Sequence, residues 1–148
     1  MINYVEKENN IGIKKMEIFF FEGEFVYNYK IKGKMYINEE LDFDGEFLYN
    51  KKWNGKGYDE NGDIIYELIN GKGNVIEYNN EGGIEYEGEY LNGKRNGKGK
   101  ELDWNRNLIY EGEYLNGKRW NGIGMEYDYL NGKVTFEGKY INGEKKGK

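Results

Sequence analysis

A ten-residue phrase, Tyr-Glu-Gly-Glu-Tyr-Leu-Asn-Gly-Lys-Arg, occurs twice without change, at Tyr86–Arg95 and at Tyr110–Arg119. Weaker copies extend along most of the 148 residues. A chain that repeats a short segment stacks small units in a row, and each unit buries its apolar side chains against its neighbours. The sequence therefore predicts one repeat domain over residues 1–148 that offers a long surface, rather than a domain built around a central cleft.

Each unit begins at an aromatic residue that is followed, in most units, by an acid and a glycine. The units start near Phe21, Phe43, Tyr66, Tyr86, Tyr110 and Phe136. The unit at Tyr66 is degenerate, because Asn70-Gly71 follows it almost at once, and its first strand is expected to be short. Residues 1–20 are interpreted as a divergent amino-terminal cap that includes the apolar segments Ile2–Val5 and Ile11–Ile13.

The pattern inside each unit is typical of β-hairpins. Aromatic residues alternate with charged residues at a period of two, which predicts half-buried strands. Asn-Gly pairs such as Asn92-Gly93 are strong hairpin-turn signals, and frequent glycines disfavour helix by about 1 kcal/mol each relative to alanine. We expect an all-β fold, a single-layer elongated solenoid of stacked antiparallel β-hairpins. Trp120 is interpreted as an insertion in the loop of the fifth unit.

Composition excludes several kinds of chemistry. The chain contains no Ser, Cys or His, so it can form neither a hydroxyl or thiol triad with an imidazole base nor a zinc site of the usual type. Asp59-x-Asn61-x-Asp63 is similar to part of a calcium loop, but it lacks the glycine and the downstream glutamate that such a loop needs. It is interpreted as a turn. We expect no enzymatic activity, no catalytic residue, no metal and no cofactor.

Charge and hydropathy restrict partners and location. The formal net charge of −5 argues against nucleic acid as the main partner, because phosphate binding needs a basic surface. No apolar run is suited to a signal peptide or a membrane-spanning helix. The expected location is cytoplasmic, with association with a membrane as the alternative.

The unit Tyr-Glu-Gly-Glu-Tyr-x-Asn-Gly-Lys-x-x-Gly-x-Gly closely resembles the MORN repeat (membrane occupation and recognition nexus). The match is close at 86–99 and 110–124, good at 43–57, partial at 21–33 and 136–147, and poor at 66–73. The resemblance implies a single-layer hairpin solenoid, a homodimer formed through end units, and contact with anionic phospholipid. The style of the unit endings is closer to variant repeats of bacterial and protist proteins, which implies an antitoxin-like role as a further alternative.

Aromatic residues are the leading candidates for binding a protein or peptide partner, or another copy of the chain. A single sheet layer has no second sheet to cover its rings, and an exposed aromatic patch marks an interaction site. The alternative is that the rings form only the core between units. The candidate partner-binding residues are Phe43, Phe47, Tyr86, Tyr90, Trp104, Tyr110, Tyr114, Trp120, Tyr129, Phe136 and Tyr140.

Charged residues supply two further expectations. The strand acids, among them Glu77, Glu87, Glu101 and Glu111, are expected to share the face opposite the rings. Basic dipeptides in the loops could bind anionic lipid, since each cation near such a surface contributes about 1 kcal/mol; these residues are Lys51, Lys52, Lys94, Arg95, Lys118 and Arg119. Three functions stay open: a protein-interaction scaffold or adaptor, a phospholipid-binding adaptor, and an antitoxin-like neutralising protein.

Overall fold

The computed structural model describes residues 2–8, 14–79 and 81–147, with side chains from residue 19 onwards within those ranges. The Ile11–Ile13 segment of the expected cap lies outside them. The strands are β1 (Ile2–Glu8), β2 (Lys14–Val26), β3 (Tyr29–Ile37), β4 (Glu40–Leu48), β5 (Lys51–Tyr58), β6 (Ile64–Leu68), β7 (Gly73–Tyr78), β8 (Ile84–Leu91), β9 (Lys94–Leu102), β10 (Leu108–Leu115), β11 (Lys118–Tyr127), β12 (Val134–Ile141) and β13 (Glu144–Lys146). Within these ranges, no helix is long and apolar enough to cross a membrane.

The strands follow one another in space in the order of the sequence. They form a six-stranded sheet, β1 to β6, and a seven-stranded sheet, β7 to β13, and within each sheet every strand pairs antiparallel with the next. The expected all-β stack of antiparallel hairpins is confirmed. The stack is divided into two sheets between β6 and β7, where a single bridge joins Ile69 to Lys72.

Tight turns close the hairpins along one side of the stack, which we call the turn edge. The turns are residues 27–28, 49–50, 70–71, 92–93, 116–117 and 142–143. Both residues of each turn have positive φ, for example 53° at Asn92 and 73° at Gly93. Asn and Gly accept this backbone most readily, which explains the Asn-Gly pairs of the last four turns.

Hydrogen bonds attach each of the later turns to the preceding unit. The Asn116 N–H donates to Asn96 Oδ1 over 3.1 Å, and the Gly117 N–H donates to the Arg95 carbonyl over 2.8 Å. Asn142 makes the equivalent bond to Asn121 Oδ1 at 2.9 Å. These bonds continue across the division between the sheets, because the Gly71 N–H donates to the Trp53 carbonyl and the Gly93 N–H to the Gly71 carbonyl. The turn edge is therefore continuous.

Two of the longer loops on the opposite side of the stack, 59–63 and 103–107, are closed by a side chain at their first residue. Asp59 Oδ1 accepts hydrogen bonds from the N–H groups of Asn61 and Asp63, each at 2.9 Å. Asp103 Oδ1 accepts from Asn105 and Asn107 in the same way. The Asp59 carboxylate is thus engaged in a turn, and among the described residues no group of three acidic side chains is placed to hold a metal ion.

The core consists of rings lying on glycines. Gly88 and Gly99 are directly opposed across β8 and β9, and the fully buried Tyr86 ring lies over both. A Cβ atom added at Gly99 would lie 2.6 Å from Tyr86 Oη, and one at Gly88 would lie 2.5 Å from the Gly99 Cα atom. The repeat needs glycine here because no side chain fits between a covering ring and the neighbouring strand.

The division between the sheets falls where this glycine pattern ends. Leu68 pairs with Gly55, and Val75 pairs with Gly88, so both occupy positions that hold glycine in the regular units. Both are almost fully buried and pack in the cluster that contains Tyr66. Since their side chains cannot enter the close glycine-to-glycine contact, β6 and β7 diverge instead of pairing. The short β6, only five residues long, confirms the shortened strand expected for this unit.

Candidate functional site

The face that carries the rings is defined by register. Residues directly opposed across neighbouring strands lie on the same face of a sheet; Tyr86 is opposed to Glu101 and to Glu77. We call this side the ring face and the other side the outer face. Five of the proposed partner-binding rings are buried within the ring face, and so they offer no free surface to a partner: Phe43, Phe47, Tyr86, Tyr110 and Tyr114.

These buried rings contact one another from unit to unit. Tyr86 and Tyr114 meet edge to face with ring centroids 5.1 Å apart, Tyr114 meets Tyr110 at 5.2 Å, and Tyr110 meets Tyr140 at 5.3 Å. Edge-to-face contacts at these distances are the favoured geometry of aromatic pairs. The rings thus form the core between units, and the expected open aromatic face does not exist at these positions.

The remaining proposed rings do not assemble into one open patch. Tyr90, Trp104, Trp120, Phe136 and Tyr140 are half-buried, and Tyr129 is 55% exposed in the loop between β11 and β12. Tyr140 Oη accepts a hydrogen bond from Arg119, and the Lys145 ammonium lies 4.2 Å from the Phe136 ring centroid. Most of these rings are therefore already engaged inside the protein.

Trp120 is not an insertion. Between the paired residues Tyr114↔Arg119 and Gly112↔Gly122, β11 carries two bulge residues, Trp120 and Asn121. Trp53 and Asn54 occupy the same positions in β5. The exception is β9, which has three residues, 96–98, at this point. The interpretation from sequence was wrong because it aligned the first glycine of Gly97-Lys98-Gly99 with Gly122, whereas the register aligns Gly99 with Gly122.

The second cation of each basic dipeptide turns inward onto a ring. The Arg95 guanidinium lies 4.3 Å from the Tyr86 ring centroid, Arg119 lies 5.0 Å from that of Tyr110, and the Lys52 ammonium lies 5.4 Å from that of Phe43. Such cation–π contacts stabilise by roughly 0.5–2 kcal/mol. Of the six basic residues predicted to bind lipid, Lys52, Arg95 and Arg119 therefore have their charged groups against rings.

A ladder of ion pairs joins the units above the rings. Arg95 Nε donates to Glu77 Oε2 at 2.8 Å, and Arg95 Nη1 lies 3.3 Å from Glu101 Oε1. Arg119 Nη2 donates to Glu101 Oε2 at 2.6 Å, and Tyr114 Oη donates to Glu101 Oε1 at 2.7 Å. The expectation that Glu77 and Glu101 lie on the face away from the rings is wrong, because the register places both on the ring face, paired with Tyr86 from the two neighbouring strands.

The ladder controls the ionisation of its members. Burial alone would raise the pKa of the Glu101 carboxyl, but the hydrogen bonds from Arg119 and Tyr114 and the charge of Arg95 outweigh it and lower this pKa below the usual 4.5. Burial and the neighbouring Glu101 raise the pKa of the Tyr114 hydroxyl. Lys52 follows the same logic in the first sheet: burial works to lower its pKa, and the paired Asp42 and Tyr66 raise it above its ordinary value. All these groups keep their usual charge near neutral pH.

The outer face carries alternating charges from strand to strand. Glu87 is opposed to Lys100, which is opposed to Glu111, and Lys100 Nζ lies 3.8 Å from Glu111 Oε1. Asp44 is likewise opposed to Lys34 and to Lys56. The central part of this face is therefore balanced by its own cross-strand pairs.

At the turn edge, the outer face carries a feature that sequence reasoning missed. The residue directly before each turn is aliphatic and exposed, and it is opposed to the first residue after the turn: Val26↔Tyr29, Leu48↔Lys51, Ile69↔Lys72, Leu91↔Lys94, Leu115↔Lys118 and Ile141↔Glu144. We call this row the turn-edge stripe. In the second sheet Leu91, Leu115 and Ile141 are 42%, 41% and 47% exposed. The signal in the sequence was an aliphatic residue at one fixed position of every unit, on the strand face that otherwise carries acids.

The first two turns differ from the others in a second way that the sequence did not reveal. Tyr27 and Tyr49 occupy left-handed positions, with φ of 49° each, where later units use Asn. A tyrosine pays a steric cost of about 1–2 kcal/mol in this conformation. Both rings are exposed, and Tyr49 meets Tyr29 edge to face at 6.0 Å. The amino-terminal end of the stripe is therefore aromatic.

No family model, curated protein or solved structure matches the chain. The resemblance to MORN repeats rests on the motif quoted above and stays a prediction.

Proposed function

We propose that this chain is a non-enzymatic scaffold or adaptor that binds a protein partner along the turn-edge stripe. The observation that carries the proposal is the repetition of one exposed aliphatic residue beside one charged residue at the same turn position of successive units. Hydrogen bonds between successive turns hold these aliphatic residues in one line, so that a single extended partner contacts several of them at once.

The stripe replaces the aromatic face as the partner surface because the rings are needed inside. Moving Tyr86 or Tyr110 off the glycines that it covers would open the core. Leu91 and Leu115, in contrast, have large parts of their side chains exposed to solvent and available to a partner. A partner that covers these leucines would remove apolar surface from water, and each fully buried leucine contributes roughly 1.5–3 kcal/mol.

A site-specific photocrosslinker tests this proposal. Placed at Leu115 in the stripe, it should join a defined protein from a lysate of the source cells, and the double variant Leu91→Ser/Ile141→Ser should abolish that product. Placed at Leu130, an aliphatic residue that is 82% exposed on the opposite edge, the same crosslinker should not give it. Equal products from Leu115 and Leu130 would refute binding along the stripe.

Anionic phospholipid is the second candidate, and Lys51, Lys94 and Lys118 favour it. These three lysines stand on the same edge as the aliphatic row, a combination that suits a membrane surface at about 1 kcal/mol for each cation. The expected result is sedimentation with phosphatidylserine vesicles that salt weakens and that Lys94→Glu/Lys118→Glu removes. The matched control is Lys98→Glu/Lys100→Glu on the central outer face. Binding no stronger than to neutral vesicles would exclude this candidate.

A further inference from the structure

The stripe in the second sheet alternates in chemistry as well as repeating in space. Leu91, Leu115 and Ile141 stand on β8, β10 and β12. Of the charged residues opposed to them, Lys94 and Lys118 stand on the intervening strands β9 and β11, and Glu144 stands on the last strand, β13. Neighbouring strands lie about 4.7–4.9 Å apart. Aliphatic residues therefore recur about every 9–10 Å, with a charged residue close to midway between them.

We propose that the partner on this stripe is an amphipathic α-helix that crosses the strands, with an apolar residue at every seventh position and an acidic residue midway between apolar ones. This inference rests on the proposed protein-binding function. Seven helical residues advance about 10.5 Å, close to the spacing of the aliphatic side chains. Residues three and four positions after each apolar one lie near the same helix face, which places an acid opposite Lys94 and Lys118.

Other chain conformations fit the stripe less well. An extended strand repeats a face after two residues, about 6.6–6.8 Å, which matches neither the aliphatic spacing nor its half. A polyproline helix repeats after about 9.3 Å, but it has no side chain on the same face midway to meet a lysine. In a two-fold pairing of this stripe with a second copy that brings Leu115 onto Leu115, each Lys94 would lie opposite the other copy's Lys118, and like charges oppose such a contact.

The charges also set where along its length the helix carries acids. Lys94 and Lys118 are followed by Glu144, which pairs with Lys146 at 2.7 Å between exposed side chains. The end of the helix that lies over β13 therefore meets a neutralised pair and needs no acid. The partner is expected to read apolar–acidic–apolar–acidic–apolar along its contacting face.

The test uses the full chain and a designed peptide of about 20 residues that is held helical by a side-chain staple. It carries leucine at every seventh position and glutamate midway, and its binding is measured by fluorescence anisotropy. A peptide of identical composition with shuffled leucines is the control. The spaced peptide should bind at least tenfold more tightly than the shuffled one, and equal binding of the two peptides would overturn the inference.

Variants of the protein identify where the peptide binds. Leu115→Ser should weaken the spaced peptide about tenfold, the equivalent of 1.4 kcal/mol, and Leu130→Ser should leave it unchanged. Lys94→Glu/Lys118→Glu should reverse the preference in favour of a peptide with lysine at the midway positions. A charge swap that weakens both peptides equally would refute the pairing of Lys94 and Lys118 with acids.

The failure of this inference can be told apart from the failure of the proposed function. If the Leu115 crosslink to a protein is lost in the stripe variant but no spaced peptide binds, the helical partner is refuted and protein binding stands. If the crosslink is unaffected by the stripe variant, both are refuted. If phosphatidylserine vesicles bind the stripe and the spaced peptide does not compete with them, the stripe is assigned to lipid and the helical partner is refuted.

Discussion

Arg119 and Glu101 lie 18 residues apart in the sequence and are joined by two hydrogen bonds in the structure, with Nη2–Oε2 and Nε–Oε1 distances of 2.6 Å and 3.2 Å. Glu101 also accepts hydrogen bonds from Tyr114 Oη and from Arg95 Nη1. One carboxylate thus holds three neighbouring strands, β9, β10 and β11. The Glu101 carboxylate thereby links side chains of successive repeat units.

The first prediction follows from that position. Glu101→Gln should lower the free energy of unfolding at pH 7 by roughly 1–3 kcal/mol, because Arg95 and Arg119 lose a charged partner in a partly buried site. Urea unfolding measures the change. Glu111→Gln, whose partner Lys100 is largely exposed, is the control and should change stability by about 0.5 kcal/mol or less.

The second prediction concerns pH. The pKa of Glu101 is lower in the folded protein than its ordinary 4.5, so its ion pairs contribute stability that is complete above the unfolded-state pKa and is lost as pH falls through the folded-state pKa. Wild type should therefore lose more stability between pH 6 and pH 3 than Glu101→Gln does. Urea unfolding at each pH measures both losses. An equal loss of stability in the two proteins would contradict this role for Glu101.

The third prediction concerns the glycines under the rings. Gly88→Ala should lower the free energy of unfolding by about 1–3 kcal/mol, because the new methyl group would meet Gly99, the Lys98 carbonyl and Tyr86 at 2.5–2.6 Å. Gly147→Ala, where a Cβ atom meets nothing within 4 Å, is the matched control. Thermal unfolding followed by circular dichroism distinguishes them, and equal melting temperatures would disprove the packing requirement.

The fourth prediction is a stabilising substitution. Tyr27→Asn should raise the free energy of unfolding by about 1 kcal/mol, because Asn accepts the left-handed backbone more readily than an aromatic residue and the Tyr27 ring is 93% exposed. The reciprocal change Asn92→Tyr, at a turn with φ of 53°, should lower it by a similar amount. A destabilised Tyr27→Asn would show that the ring makes a contribution of its own.

The fifth prediction concerns the division between the sheets. Amide protons on the facing edges of β6 and β7 have no ladder partner apart from the Ile69–Lys72 bridge, whereas β9 is paired on both sides. Hydrogen exchange followed by mass spectrometry should show faster exchange over residues 64–68 and 74–78 than over 97–102. Equal protection would indicate that the sheet is continuous in solution.

Much of the architecture could be predicted from local pattern. Period-two alternation, Asn-Gly turns and the repeat itself were sufficient to predict stacked antiparallel hairpins, because strand and turn preferences depend on a few neighbouring residues. The shortened unit at Tyr66 was also visible. The division beside it was not, since it depends on Leu68 and Val75 standing opposite glycines of other strands.

The site was harder to predict for the same reason. Alternation separates the side chains on the two faces of one strand, but it does not show which side chains of the next strand lie on the same face of the sheet. Bulges shift the alternation of faces between strands, and so Glu101 lies on the ring face with Tyr86 rather than on the outer face. The rings were predicted to be open because one unit alone does not show that glycines of neighbouring strands lie beneath them.

By itself, the sequence determined that this chain is a row of β-hairpins rich in rings and closed by tight turns, because each of those properties is fixed within one unit. Only the tertiary structure decided which side chains remain free. Register between units buries the tyrosines on glycines, folds Arg95 and Arg119 over them, and leaves Leu91 and Leu115 exposed beside lysines. Burial is a property of neighbouring units together, and for that reason the surface available to a partner could be identified only in the assembled stack.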